Sequence, residues 1–192
     1  MSNTPNIEID DSQLQEIANF LVATDKQVET ALKRAITRTA RNLRTKASSS
    51  FRKAFGINAK FWKRRIRLYA SKDRSTNPGI WGKSRVWVGL DPVRLIHANP
   101  RQTKRGVRTR ATGLIPGAFI ATLRSGRKGV FKRKGPNPKP LIEQTAEIEK
   151  DATALIEHEL FSQAEDLLAK NFERELNWET HENNPKNKRI KL

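Results

Sequence analysis

The stretch LIPGAFIATLRSGRKGVFKR, Leu114 to Arg133, decides the fold. It is an apolar run that turns at Ser125-Gly126 and returns as a second, shorter apolar segment, the pattern of a β-hairpin. Side chains alternate across a pleated strand, so Ala118, Ile120 and Thr122 are expected on one face and Phe119, Ala121 and Leu123 on the other. Val130 and Phe131 continue the return strand, and Arg124, Arg127, Lys128, Lys132, Arg133 and Lys134 ring its tip and exit. In isolation these cations read as the solvated end of a buried hairpin. The charge of the neighbouring segments argues for more.

On the N-terminal side, ALKRAITRTARNLRTKASSSFRKAFGI (Ala31 to Ile57) carries a long helical stripe. Val28, Ala31, Leu32, Ala35, Ile36, Thr39, Ala40, Leu43, Ala47 and Phe51 recur at helical spacing and predict a long amphipathic helix packed on a core. Upstream, Asp11 or Ser12 reads as the N-cap of a helix carrying Leu14, Ile17, Ala18, Leu21 and Val22. Asn6 to Asp10 alternates like a strand, or like an arm that joins a sheet on assembly. Gly56 suits a helix C-cap, and Asn58 a cap for a short turn through Phe61 and Trp62, before Ile66, Leu68 and Ala70 alternate as a strand. Phe55, Phe61 and Trp62 read as core closing this junction; stacking on bases, beside Lys60, Lys63, Arg64 and Arg65, is the alternative. Ser71 to Lys83 is loop-like, and Val86, Val88 and Leu90 then alternate with Arg85, Trp87 and Gly89. Asp91-Pro92 ends that strand, and Val93 to Ile96 is expected to start another, antiparallel to it.

On the C-terminal side, the prolines between Gly135 and Pro140 stop the sheet. The last helix is expected from near Thr145, with Ile148, Ala152, Leu155, Ile156, Leu160, Ala164, Leu167, Leu168, Phe172 and Leu176 on its apolar side and nine carboxylates on its other faces. The expected fold class is α+β: a long N-terminal helix, an antiparallel β-sheet of four or five strands with a long basic loop and the β-hairpin, and a long C-terminal helix. Residues 1–11 read as an arm, 12–177 as one domain and 178–192 as a polar tail. The basic cluster at Lys186 to Lys191 reads as part of that tail or as a subunit-binding arm.

The net charge is +18 over 192 residues, and it is unevenly spread. Between Thr30 and Ile142 lie 30 of the 38 lysines and arginines but only two of the 20 acids, Asp73 and Asp91, so the ends are net acidic. Such polarity implies a polyanionic partner for the middle, or head-to-tail neutralisation between copies, or both in a ring around nucleic acid. The basic row on the first helix, with few acids to relieve it, calls for an outside partner. Arg34, Arg38 and Arg41 are accordingly candidate subunit-interface residues against Glu157, Glu165 and Asp166 of the acidic C-terminal helix. His97 to Gly113 has little apolar content and carries Arg101, Lys104, Arg105, Arg108 and Arg110. It reads as a basic tether, or, if ordered as a hairpin, as a basic finger. With Arg127 and Lys128 these are the candidate contacts to DNA or to a protein partner, with phosphate contact sequence-independent and salt-sensitive.

The wording Ile115-Pro116-Gly117-Ala118-Phe119-Ile120, then Leu123, Gly126-Arg127 and a short β return, resembles the minor tail protein Z family of tailed bacteriophages, also called tail completion proteins. The Ala/Arg/Thr-rich helix before it and the long helix after it agree, so the resemblance runs from about Val28 to Phe172. It implies a virion protein at the head-proximal end of the tail, made in the cytoplasm of a bacterial host. The implied partners are other copies in a ring of six, a tail terminator or tail tube protein, the head-tail connector and double-stranded genomic DNA.

Composition narrows the chemistry. Hydrophobic residues make up 36% and mean hydropathy is −0.72, low for a compact monomer and consistent with arms or partner surfaces. No apolar run approaches the ~18 residues that span a bilayer, and the first residues lack the basic start and apolar stretch of a secretory signal. There is no cysteine, and His97, His158 and His181 are scattered, so no metal site and no cofactor are expected. Gly126-Arg127-Lys128-Gly129 lacks the spacing and hydroxyl of a phosphate-binding loop, and no G-x-S-x-G or H-E-x-x-H motif occurs. The chain is therefore expected not to be an enzyme. A nuclease would have to gather Asp73 and Asp91 with carboxylates from the ends. The alternative reading is a sequence-independent nucleic-acid-binding module whose assembly is incidental.

Overall fold

A computed structural model describes residues 25–70 and 84–181. The expected strand at Asn6 to Asp10, the helix through Val22, the loop Ser71 to Lys83, Asp73 and the tail beyond His181 lie outside the described residues. The chain divides into two compact units, one of residues 1–45, 67–87 and 157–192, the other of residues 46–66 and 88–156.

The fold is α+β. Helix α1 (Asp25–Phe55) is continuous, as its stripe demands, and its last residues with α2 (Ala59–Arg65) belong to the second unit. Then come β1 (Ile66–Ala70), β2 (Ser84–Val88), β3 (Val93–Arg94), a 3-10 turn (Leu95–His97), β4 (Arg101–Thr103), β5 (Gly106–Thr109), β6 (Gly113–Pro116), β7 (Ala118–Thr122), β8 (Lys128–Arg133), β9 (Leu141–Glu143) and β10 (Thr145–Ala146). Helix α3 (Glu149–Leu155) runs into a π-helical turn (Ile156–Phe161), and α4 (Ala164–Thr180) follows, ending two residues beyond Trp178.

In the first unit, Ala31, Leu32 and Ala35 of α1 pack with Leu168, Phe172 and Leu176 of α4, flanked by Val28 and Ile36. The small residues on α1 are what let the Phe172 ring sink to full burial. One expected stripe member, Thr39, is polar. It is buried because Asn171 Nδ2 donates to its Oγ1 at 2.9 Å and its hydroxyl is directed at the Leu167 carbonyl at 3.4 Å.

In the second unit the helix junction forms as its residue types imply. Gly56 takes a left-handed φ of +65° and its N–H donates to the Arg52 carbonyl. The Asn58 side chain accepts from Phe61 N at 2.8 Å, capping α2. Trp62 is fully buried, its ring 4.7 Å from Phe51 and 6.1 Å from Phe55. The three rings pack at tilted angles and close the corner between the end of α1 and α2.

The sheet differs from expectation. Instead of one sheet of four or five strands there are small antiparallel sheets, β1-β2, β3-β10, β4-β5-β6 and β7-β8-β9. The hairpin is β7-β8, with Phe119 opposite Phe131 and Ile120 opposite Val130. Leu114 to Pro116 is not part of it: Gly117, at φ +73°, redirects the chain, and those residues pair with β5. The expected basic loop at His97 to Gly113 is ordered as β4, β5 and the start of β6. Its ordering was hard to read because the buried side of β5 carries Val107 and Thr109 rather than a run of large apolar residues. Val93 starts only a two-residue strand, and its partner is β10 rather than β2. After the prolines the chain rejoins the sheet as β9.

The last helix starts at Glu149 rather than near Thr145, and it is interrupted. Ile148, Ala152, Ile156, Leu160, Ala164, Leu168, Phe172 and Leu176 are all buried at steps of four. In an α-helix each such step turns the stripe by about 40° beyond a full revolution. A π-helical turn, wider than an α-helical one, interrupts the run at Ile156 to Phe161.

Gly106 is a backbone requirement. Its φ is +152°, and a Cβ there would overlap the carbonyl oxygen of Ile115 across the β5-β6 pair. Gly106→Ala is therefore expected to open β4-β5-β6 and to lower stability by about 2 kcal/mol or more. Urea denaturation, with loss of hydrogen-exchange protection at Val107 and Ile115, checks this.

Candidate functional site

Strand register gathers the expected partner-contact residues of the second unit. Arg101 on β4 lies directly opposite Arg108 on β5, and Arg108 opposite Leu114 on β6. Alternation puts Val107 and Thr109 on the buried side and Arg108 on the exposed side, so the two arginines share the solvent face. Lys104 and Arg105 form the β4-β5 turn, both exposed. Like charges directly opposite each other destabilise a strand pair, so this face is held together by the rest of the sheet. Thr103 Oγ1 donates to the Gly106 carbonyl at 2.8 Å, and Gly117 N to the Arg105 carbonyl at 3.0 Å, which fixes the turn.

Arg110 sits apart, in the turn after β5 that Thr109 and Thr112 brace through their hydroxyls at 2.9 Å. A Cβ on Gly56 would meet the Arg110 stem, so the absence of a side chain at Gly56 is what seats that arginine against the α1-α2 junction. Arg127 is engaged by Glu143 of β9, whose carboxylate also takes Arg94. Arg94 Nη2 in turn donates to the Lys128 carbonyl at 3.0 Å. Arg127 therefore braces the turn end of the hairpin, while the Lys128 side chain is exposed.

The site contains one residue that charge did not point to. Gln102 accepts from Ile120 N at 2.9 Å, and its Nε2 lies 3.2 Å from the Gly106 carbonyl and 3.4 Å from that of Ala118. It ties the basic three-stranded sheet to the edge of β7. Its only signal in the sequence was a lone amide between Arg101 and Lys104.

The candidate interface residues lie in the first unit. Arg34 pairs with Glu179 and Arg38 with Glu175 at 3.0 Å, both within the chain. Arg41, Glu157, Glu165 and Asp166 are exposed. Glu165 and Asp166 occupy the first turn of α4, where carboxylates suit the positive end of the helix dipole. Asp91 pairs with Arg65 at 3.2 Å. Among the described residues no group of His, Asp or Glu is arranged to hold a metal ion, and no helix is long and apolar enough to cross a membrane.

His97 rests against Phe61, ring centroids 5.0 Å apart, and Arg65 lies over the same ring. Burial lowers the His97 pKa from its ordinary 6.5, and Arg94, Arg64 and Arg65 push it the same way against the opposing pull of Glu143. A lowered pKa means the unfolded chain binds the proton more readily. The contribution is fully present above about pH 6.5 and is lost as pH falls through the folded value. The urea midpoint is expected to fall on acidification from pH 7 to pH 5, and His97→Gln to flatten that dependence.

The chain was compared with protein families, curated proteins and solved structures. The family described as prophage minor tail protein Z matches residues 14–181, a span that contains the Val28 to Phe172 stretch of the resemblance. No curated protein and no solved structure matches. With more than two thirds of its length covered and its α+β elements in place, the chain belongs to the prophage minor tail protein Z family, a family of phage tail proteins.

Proposed function

We propose that the chain is a non-catalytic structural protein of the virion that completes the head-proximal end of the tail. In this reading several copies form a ring, six to match tail symmetry, seated between the tail terminator or tail tube protein and the head-tail connector. The ring helps to seat the end of the double-stranded genome. The observation that carries the reading is the solvent-facing Arg101 and Arg108 pair beside the Lys104-Arg105 turn, in a chain of a phage tail family. Two guanidiniums held opposite each other lose their mutual repulsion when an anion lies across them, and a phosphate backbone or an acidic ring surface supplies one. The second reading is a sequence-independent nucleic-acid-binding module, favoured by the same pair.

Size-exclusion chromatography with light scattering, at low and high salt and with and without short duplex DNA, separates the two. A tail component gains its contacts through multiplicity, so a salt-sensitive oligomer indifferent to dilute duplex is expected. A monomer that shifts only with DNA, with steep salt dependence, would favour the binding module. In particles, loss of the chain is expected to leave unjoined heads and tails. A double variant, Arg101→Glu with Arg108→Glu, is expected to fold but to restore joining at least about tenfold less well than the unaltered chain. Joining at the normal level by that variant would remove the basic face from the mechanism.

A further inference from the structure

In the first unit, α1 and α4 enclose an open groove of about 790 Å³. Its walls carry Lys33, Arg34, Arg38 and Arg41 from α1 and Arg174 and Trp178 from α4. Arg34 and Arg38 are matched by Glu179 and Glu175, and Lys33 by Glu29. Arg41 and Arg174 form no ion pair among the described residues. The Trp178 indole is half exposed beside them. A groove of excess positive charge with an accessible aromatic wall suits an extended segment that alternates carboxylates with apolar side chains.

The chain contains one such segment. Residues 1–24 include Glu8, Asp10, Asp11 and Glu16 and no lysine or arginine, and Asn6 to Asp11 reads NIEIDD. In an extended chain, carboxylates two residues apart lie about 6.7 Å from each other. Two such carboxylates can meet two cations of the groove at once, and Arg41 and Arg174 are the two without a carboxylate partner among the described residues. Ile7 and Ile9 on the alternate side fit the indole rather than water.

We propose that the α1-α4 groove is the docking site for the acidic N-terminal segment, Asn6 to Asp11, of a neighbouring copy. This rests on the ring reading above. Copies with a net charge of +18 repel one another, and a segment of opposite charge carried by each copy offsets that repulsion where the copies meet. Glu175 and Glu179 of the C-terminal helix are already engaged by α1 of their own chain, and the remaining carboxylates of that helix are interspersed with Lys170 and Arg174, whereas residues 1–24 carry no cation. Arg41 and Arg174 are left to hold the incoming carboxylates.

The absence of cysteine makes the test clean. Ile9→Cys and Asn177→Cys are prepared as separate full-length variants and mixed under mild oxidation. A disulfide-linked heterodimer about tenfold above either variant alone is expected. Adding Arg41→Glu and Arg174→Glu to the Asn177→Cys chain is expected to reduce it about tenfold, and Glu8→Arg with Asp11→Arg on the other chain to restore it. Circular dichroism confirms that each variant folds. Cross-linking only within a single chain carrying both cysteines, or no cross-link in any arrangement, overturns the proposal. Sedimentation of the unaltered chain then separates the two ideas: an oligomer without the cross-link sinks the docking alone, and a monomer sinks the ring as well.

Discussion

Glu175 and Glu179 are buried carboxylates facing a helix that is otherwise a row of cations, and the first unit depends on that placement. A carboxylate taken out of water is tolerable only when a charge partner and hydrogen bonds replace its hydration. Arg38 and Arg34 do so from α1, one turn apart, matching the one-turn spacing of the two glutamates on α4. The pairs fix the register of α1 against α4. The apolar contacts of Phe172 and Leu176 with Ala31 and Ala35 then supply the non-directional part of the attraction. The guanidiniums stay about 40% exposed, so water and salt screen them, and specificity of register is a firmer attribute of these pairs than stability.

The second unit handles scarcity of acid in a different way. It has few carboxylates for a surface full of cations, and two of them are used near connections. Glu143 holds Arg94 and Arg127 together near the turn of the hairpin, and Asp91 holds Arg65 where the chain leaves α2. Elsewhere the cations face solvent with their stems on the sheet, or lie over rings, as Arg133 does over Phe119 at 5.4 Å. On the β4-β5 hairpin four exposed cations, Arg101, Lys104, Arg105 and Arg108, lie within eight residues of one another.

Periodicity made the helices legible. Val28 to Phe51 kept one stripe, and α1 follows it; Gly56 and Asn58 marked the junction because a left-handed backbone and a side-chain cap each favour particular residues there. The β7-β8 hairpin was legible for the same kind of reason. The β4-β5-β6 sheet was not, since Arg101, Gln102, Thr103 and Lys104 carry no apolar alternation, and hydrogen bonds from Gln102 and Thr103 side chains do the ordering. The break in the last helix was also hidden. Apolar residues at steps of four look helical, and nothing in that spacing marks the π turn at Ile156 to Phe161. Of the candidate contacts, charge alone could not separate Arg101 and Arg108, which face outward, from Arg34, Arg38 and Arg127, which hold the chain's own carboxylates.

The amide of Gln102 has a further consequence. Strand β7 pairs with β8 along one side, and its other side presents the Ala118 carbonyl and the Ile120 N–H, which Gln102 occupies with its Nε2 and Oε1. A primary amide offers one donor and one acceptor in the same plane, as a peptide group does. The side chain thus imitates a single rung of a further strand and terminates the ladder at that point. An open ladder is a template for indiscriminate strand addition and aggregation. A single glutamine closes that position with two hydrogen bonds, so the backbone of β7 is already occupied there by a side chain of its own fold.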